Sequence, residues 1–259
     1  MFPTIDTHSH IYLPEFDADR NETVKRALAA GIQKIYLPNV DSETIEALHQ
    51  LAAEFPENCI PMMGLHPCSV KPETYHSELA IVEKLLKERA YAAVGEIGLD
   101  LYWDKSTFAI QVEALKTQCE WALLLGLPVV IHSRSSTLEA IEVIEPFAKK
   151  GLKGVFHCFS GTAEEAKRIV AMDFMLGIGG VVTYKKSDLY LTIADIPNEY
   201  LVLETDAPYL SPVPFRGKRN EPSYIPYVLS TLAQYRNISE EKLAIITTDN
   251  ARKLFSKNE

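Results

Sequence analysis

Two histidines one residue apart, in His8-Ser9-His10, carry the strongest chemical signal in the sequence. Side chains two apart on a strand point the same way. Both imidazoles can therefore face one metal ion while Ser9 turns away. Asp6 precedes them in a strongly apolar strand and helps to place the pair at its C-terminal end. Four further residues of metal-ligand type stand at or just past the ends of other apolar runs. Glu96 lies in Ala93-Val94-Gly95-Glu96-Ile97, His132 ends Pro128-Val129-Val130-Ile131-His132, and His157 ends Gly154-Val155-Phe156-His157. Asp206 follows Leu201-Val202-Leu203-Glu204-Thr205. A single buried histidine is usually a satisfied core residue. Four histidines, a glutamate and an aspartate gathered at five strand ends are hard to explain that way.

Six ligands are too many for one catalytic tetrahedral site, which takes three protein ligands plus water. They suit two divalent ions sharing a carboxylate. Glu96 sits on the fourth strand, between the N-terminal pair and the later histidines, and is the natural bridge. The assignment is His8, His10 and Asp206 to one ion, and His132 and His157 to the other. Two divalent ions outweigh the two carboxylates and leave a positive residue that attracts a phosphodiester. Such a pair lowers the pKa of water from 15.7 towards about 7 and stabilises both the entering and the leaving oxygen. Asp206 could also orient that water or take its proton.

The elements that must position these groups alternate short β-branched runs with longer amphipathic segments, the pattern of an α/β fold with a parallel sheet. Eight strands are expected, at Thr4–Thr7, Lys34–Pro38, Ile60–Leu65, Ala92–Ile97, Pro128–His132, Gly154–His157, Phe174–Gly177 and Leu201–Glu204. Helices are expected at Glu22–Ala30, Ser42–Phe55, Ser77–Arg89, Phe108–Leu125, Thr137–Lys149 and Thr162–Met172. A short one follows at Asp188–Ile193, then Tyr224–Arg236 and Ser239–Phe255, the last broken near Thr248-Asp249-Asn250. Thr162 reads as an N-cap before three residues that include two acids. The sum is a (β/α)8 TIM barrel forming a single domain over residues 1–259. Barrel active sites are built at the C-terminal ends of the strands, where the six candidate ligands fall. The Pro- and Gly-containing stretch 207–223 is the loop after the eighth strand.

Composition is that of an ordinary soluble globular chain, with 47% hydrophobic and 24% charged residues. The net charge of −9 excludes nucleic-acid binding through a broad basic surface, so any polyanion must be met locally. Cys59, Cys68, Cys119 and Cys158 are scattered and read as reduced thiols of a cytoplasmic protein. The N-terminal MFPTIDTHSH has neither the basic nor the apolar region of a secretory signal. No apolar run approaches the ~20 residues that cross a bilayer.

The sequence resembles the TatD family of metal-dependent deoxyribonucleases, within the amidohydrolase-like barrels. The resemblance runs along the chain through Ile5-Asp6-Thr7-His8-Ser9-His10, Gly64-Leu65-His66-Pro67, Gly95-Glu96-Ile97-Gly98-Leu99-Asp100 and Ile131-His132-Ser133-Arg134. It continues in His157-Cys158-Phe159-Ser160-Gly161, Glu204-Thr205-Asp206-Ala207-Pro208 and Arg216-Gly217-Lys218-Arg219-Asn220-Glu221-Pro222. It implies a metal-dependent hydrolase acting on DNA, commonly as an exonuclease, with Mg, Mn or Zn as candidate metals. The family's ligand positions fall on His8, His10, Glu96, His132, His157 and Asp206. Ser9 departs from the residue common there, and it points away from the metal.

Several neighbours read as supports. His66 can contact substrate, protonate a leaving oxygen or bond its own loop. Asp100 can hold a ligand histidine or cap a turn, and Glu204 can point into the mouth. Arg134, two residues past His132, can contact a substrate phosphate or form a salt bridge. Arg216 and Lys218 are candidates for substrate phosphates within a loop that puts three cations in four residues at 216–219, where the alternative is a solvated charge run. Lys185 and Lys186 are weaker candidates of the same kind. Tyr102 and Trp103 can stack a base or pack over their loop. Cys158, adjacent to His157, is expected to face the core. The competing functions are a small-molecule hydrolase acting on an ester, lactone, amide or phosphoester, and a metal-binding scaffold without catalysis. No obligate protein partner is evident.

Overall fold

A computed structural model describes residues 2–255; the ends of the expected domain, residue 1 and residues 256–259, lie outside the described residues. The strands are β1 (Thr4–Asp6), β2 (Ile32–Leu37), β3 (Cys59–Pro61), β4 (Val94–Asp100), β5 (Val129–Arg134), β6 (Gly154–Phe156), β7 (Met175–Ile178) and β8 (Leu201–Leu203). Between and after them run α1 (Arg20–Ala29), α2 (Ile45–Glu54), α3 (Tyr75–Glu88), α4 (Phe108–Leu125), α5 (Thr137–Ala148), α6 (Ala163–Ala171), α7 (Leu189–Thr192), α8 (Ile225–Arg236) and α9 (Glu240–Phe255). Neighbouring strands pair in parallel, in the order β1-β2-β3 and β4 through β8. Two seams join these runs into a closed (β/α)8 barrel. At one, the Met63 amide donates to Ala93 and the Gly95 amide to Met63. At the other, Thr7 donates to Leu203 and His10 to Ala207, beside the Ser9–Ala207 bridge. Closure leaves no edge strand exposed.

The barrel is filled by one apolar side chain from each strand or its flank. These are Ile5, Tyr36, Met62, Ala93, Val130, Val155, Met175 and Val202, all buried. Phe255 and Ala251 of α9 close the bottom of this plug, with Phe255 stacked on Tyr36 at 4.3 Å. The alternate strand residues, such as Ile35, Leu37, Ile97, Ile131, Phe156 and Leu203, face outward into the larger core beneath the helices. The period of two fixes what lies above the plug. Two residues past Val130 and Val155 stand His132 and His157, and two past Val202 stands Glu204. Gly177 occupies the matching place after Met175, where a Cβ would come within 2.2 Å of the Glu204 carboxylate.

Other element ends shift by up to three residues, and β4 runs on to Asp100 so that Glu96 lies inside it rather than at its end. The larger departures from the sequence expectations are in three elements. β1 ends at Asp6, so His8 and His10 lie beyond the regular ladder, although both still turn inward. β3 is displaced to Cys59–Pro61, because the expected run passes through Pro61 and hands its later residues to the β4 seam. α9 is unbroken through 248–250. There the Thr247 hydroxyl bonds back to the Leu243 carbonyl at 2.9 Å, and Asn250 donates to Asn198 and Leu201 at 2.8 Å. Residues that end a helix when solvated here dock it against the rest of the chain. The capping box at Thr162 and Glu165 forms as the sequence suggests.

Candidate metal centre

Glu96 is the hub of the barrel mouth, buried at 2% exposure. Its two oxygens face different histidines. Oε2 lies 3.1 Å from His8 Nε2 and 3.3 Å from His10 Nε2. Oε1 lies 2.8 Å from His132 Nδ1, 2.8 Å from His157 Nε2 and 3.3 Å from His66 Nε2. Asp206 Oδ1 stands 3.7 Å from both His8 and His10 on their nitrogen edge. Burial opposes charge on Glu96, but His157, His66 and His8, with a hydrogen bond from His10, hold its carboxyl well below the usual carboxylate range. Burial and the neighbouring His157 keep the His8 imidazole neutral, its pKa well below the ordinary value. Burial raises Asp206 to about 6 against the pull of His157 and His10.

The tautomers follow from what each ring meets on its far edge. Tyr12 gives its hydroxyl proton to the Pro38 carbonyl, so its oxygen accepts from His10 Nδ1 at 2.8 Å. Asp100 Oδ2 accepts from His132 Nε2 at 2.9 Å, and Glu204 Oε1 lies 3.7 Å from His157 Nδ1. Glu204 is too far from His157 Nδ1 to hydrogen-bond it, whereas for His10 and His132 the hydrogen-bonded partner places the proton on the outer nitrogen and leaves a lone pair on the inner one. His66 is the opposite case. Its Nδ1 accepts the Cys68 amide at 3.0 Å, so Nε2 carries the proton and faces the cluster as a donor. His8 stacks on His157 at 3.8 Å, and no partner meets its Nδ1.

Imidazole lone pairs and carboxylate oxygens converging this closely are a donor set for divalent cations such as Zn, Mn or Mg. Two groupings bring ligand atoms within 4.8 Å of one another, His8–His10–Asp206 and His66–Glu96–His132, and a third joins His8, His157 and Glu204. His66, read from the sequence as a substrate contact, thus lies against Glu96 and also bonds its own loop.

Asp6 and Tyr12 escaped the sequence reading as supports. Asp6 is fully buried and accepts the His8 amide at 3.2 Å, the Thr205 amide at 3.0 Å and the Thr205 hydroxyl at 2.5 Å. It thereby ties the end of β1 to the residue before Asp206. The only sequence signal for either was a two-residue spacing from a ligand histidine.

The rim corrects three sequence expectations. Cys158 sits past the end of β6 at φ +45°, so strand alternation does not govern it, and it is half-buried rather than in the core. Arg219 does not belong to the free cation cluster. Its guanidinium donates to both Asp19 oxygens at 2.8 and 2.9 Å and lies 4.3 Å over Phe16. Arg216 and Lys218 remain exposed, with Arg216 4.1 Å over Tyr184. Arg134 lies 3.9 Å over Tyr102 rather than on a carboxylate. Lys185 and Lys186 are exposed.

Hydrogen bonds from Arg219 and Arg26 outweigh desolvation and hold Asp19 down to about 2, from an ordinary 3.8. A depressed carboxyl stabilises the fold above its unfolded value, and the contribution is lost as pH falls through the folded one. The melting temperature of the wild type is therefore expected to fall more steeply between about pH 4 and pH 2 than that of Asp19→Asn. The gap is modest because solvent screens the pair. Parallel profiles in thermal denaturation would contradict this.

A parallel barrel with a histidine–carboxylate cluster at its C-terminal mouth defines the class of metal-dependent hydrolases. The family model for TatD related DNase matches residues 5–256, and the chain belongs to that family. A metal-dependent hydrolase of Bacillus subtilis, YabD, is 37% identical over 98% of this chain and 99% of its own. A 3'-5' ssDNA/RNA exonuclease TatD of Cronobacter sakazakii is 35% identical over 98% of both chains. The crystal structure of the TatD homologue YjjV from Escherichia coli superposes with a TM-score of 0.91 at 32% identity, over 98% of both chains. The protein is a metal-dependent hydrolase of this family. No helix among the described residues is long and apolar enough to cross a membrane.

Proposed function

We propose that the chain is a deoxyribonuclease that removes nucleotides from a strand end, using two divalent ions, Mg, Mn or Zn. The observation that carries this reading is the division of Glu96, one oxygen towards His8 and His10 and the other towards His132 and His157. His8, His10 and Asp206 would hold one ion and His132 and His157 the other, with Glu96 between the two groups. Divalent ions held there supply a water-derived nucleophile at neutral pH and offset phosphate charge. Asp206 is 15% exposed where Glu96 is 2%, so it is the carboxylate placed to orient the incoming water and take its proton. His66, with Nε2–H directed inward, donates to a phosphate oxygen. Arg134, Arg216 and Lys218 hold the strand at the mouth, which a chain of net charge −9 cannot do by its overall field. The name of the Cronobacter relative supports a single-stranded substrate.

The test is cleavage of end-labelled single-stranded DNA with Mg or Mn, and with chelator. Metal-dependent release of mononucleotides from one end is expected. Turnover of small esters or lactones with intact DNA would defeat the nuclease reading in favour of a small-molecule hydrolase. Asp100 fixes the His132 tautomer, and such supports are worth 10- to 100-fold in metal affinity. Asp100→Ala is therefore expected to weaken metal binding by about that factor in a competition titration against a chelating dye. An unchanged affinity would remove His132 from the ligand set.

A further inference from the structure

Tyr102 and Trp103 follow β4 and stand 57% and 70% exposed at the rim, their rings edge to face at 5.0 Å. Aromatic side chains of this size usually bury their surface. Here they meet the Arg134 guanidinium, 3.9 Å over Tyr102 and 5.3 Å from Trp103. No carboxylate among the described residues pairs with Arg134. The group is also held to the metal centre. Asp100 accepts from His132 through Oδ2, while its Oδ1 accepts the amides of Tyr102 at 3.0 Å and Trp103 at 3.2 Å. The Leu101 amide donates to the Arg134 carbonyl at 3.0 Å. One carboxylate thus sets the position of a candidate ligand and of the aromatic pair together.

We propose that Tyr102, Trp103 and Arg134 form a platform on which one unpaired base of the substrate strand stacks, with Arg134 meeting the adjoining phosphate. The proposal rests on the phosphodiesterase reading above and adds the residues that select the form of the strand. A base within a duplex has both faces covered, whereas an unpaired base offers one to an aromatic ring. Trp103, the more exposed of the two rings, is the stacking surface. Arg134 holds Tyr102 behind it and supplies a cation beside the aromatic pair.

Trp103 is one of two tryptophans, and the other, Trp121, packs against the core. Fluorescence therefore reads the platform directly. Wild-type protein is titrated with a short single strand of DNA and with the same backbone lacking bases. The base-bearing strand is expected to quench the emission and the baseless strand to leave it unchanged. In steady-state kinetics Trp103→Ala raises KM on the base-bearing strand by roughly ten-fold or more, the scale of one lost stacking contact. It leaves kcat within about two-fold and does not alter the baseless strand, and Trp103→Phe restores most of the loss. Arg134→Gln lowers the salt dependence of binding by about one phosphate contact. An unchanged melting temperature shows that the exposed-site variants fold. If the wild type cleaves the base-bearing strand and Trp103→Ala keeps its KM, the platform is wrong and the nuclease reading stands. If the wild type cleaves neither strand, the nuclease reading is wrong and the platform falls with it.

Discussion

On the proposed two-ion reading, Glu96→Gln is expected to bind at most one divalent ion per chain and to lose at least about 10³-fold in kcat. The substitution keeps the length and shape of the side chain, so the buried pocket is not emptied. What changes is that one of the two anionic oxygens becomes an amide nitrogen, which carries protons and no available lone pair. Glu96 Oε2 serves His8 and His10, and Oε1 serves His132 and His157. Whichever way the amide turns, one of these groups meets a donor. A hydrogen-bond donor aimed at an ion position is repulsive, and the remaining oxygen has lost its charge. Metal content after gel filtration, read by elemental analysis beside the activity, separates this from a general loss of structure. Two retained ions with full activity would show that Glu96 does not join them.

The eight strands were legible because a closed barrel imposes a strict rhythm. Each strand is a short apolar run, and each is bounded by turn residues. The candidate centre was legible for a related reason. A polar residue at the end of an apolar run is conspicuous, and strand alternation says which way it points. His132 and His157 obey this directly, standing two residues beyond Val130 and Val155 of the interior plug. What was not legible acts across the chain. Arg219 looked like one cation of three, yet its partner Asp19 lies 200 residues away. Nothing local distinguishes it from Arg216 and Lys218. Tyr12 orients His10 by way of the Pro38 carbonyl, and a backbone acceptor leaves no trace in a sequence. The role of Asp6 depends on Thr205, which only barrel closure brings near. The break expected inside α9 does not occur because tertiary contacts hold the helix there. At α9, Asn250 docks against Asn198 and Leu201 instead of terminating the helix. The tautomer of His66 was hidden for the same reason, since the Cys68 amide that fixes it is set by the loop's conformation.

Asp206→Asn is expected to lower kcat by about 10²- to 10⁴-fold at saturating metal, with the KM for a single strand little changed. Asp206 has φ +56°, in the left-handed region that asparagine tolerates well, so the backbone is kept. Alanine at the same position would add strain and confuse the result. The exchange removes the negative charge and the basic oxygen while preserving size. Glu96 still engages the histidines on both sides, so ions continue to bind at sufficient concentration. The ion beside His8 and His10 loses a charged ligand, which appears as a higher metal concentration for half-maximal activity. Two roles for Asp206 are then separable on one plot of rate against metal. A ligand role moves the midpoint and leaves the plateau, whereas a proton-accepting role lowers the plateau itself. Asp206 is the carboxylate of the cluster that reaches solvent, and among the described residues no second one takes the same position relative to His8 and His10. The plateau is accordingly expected to drop, and full recovery of kcat at high metal would reduce Asp206 to a ligand alone.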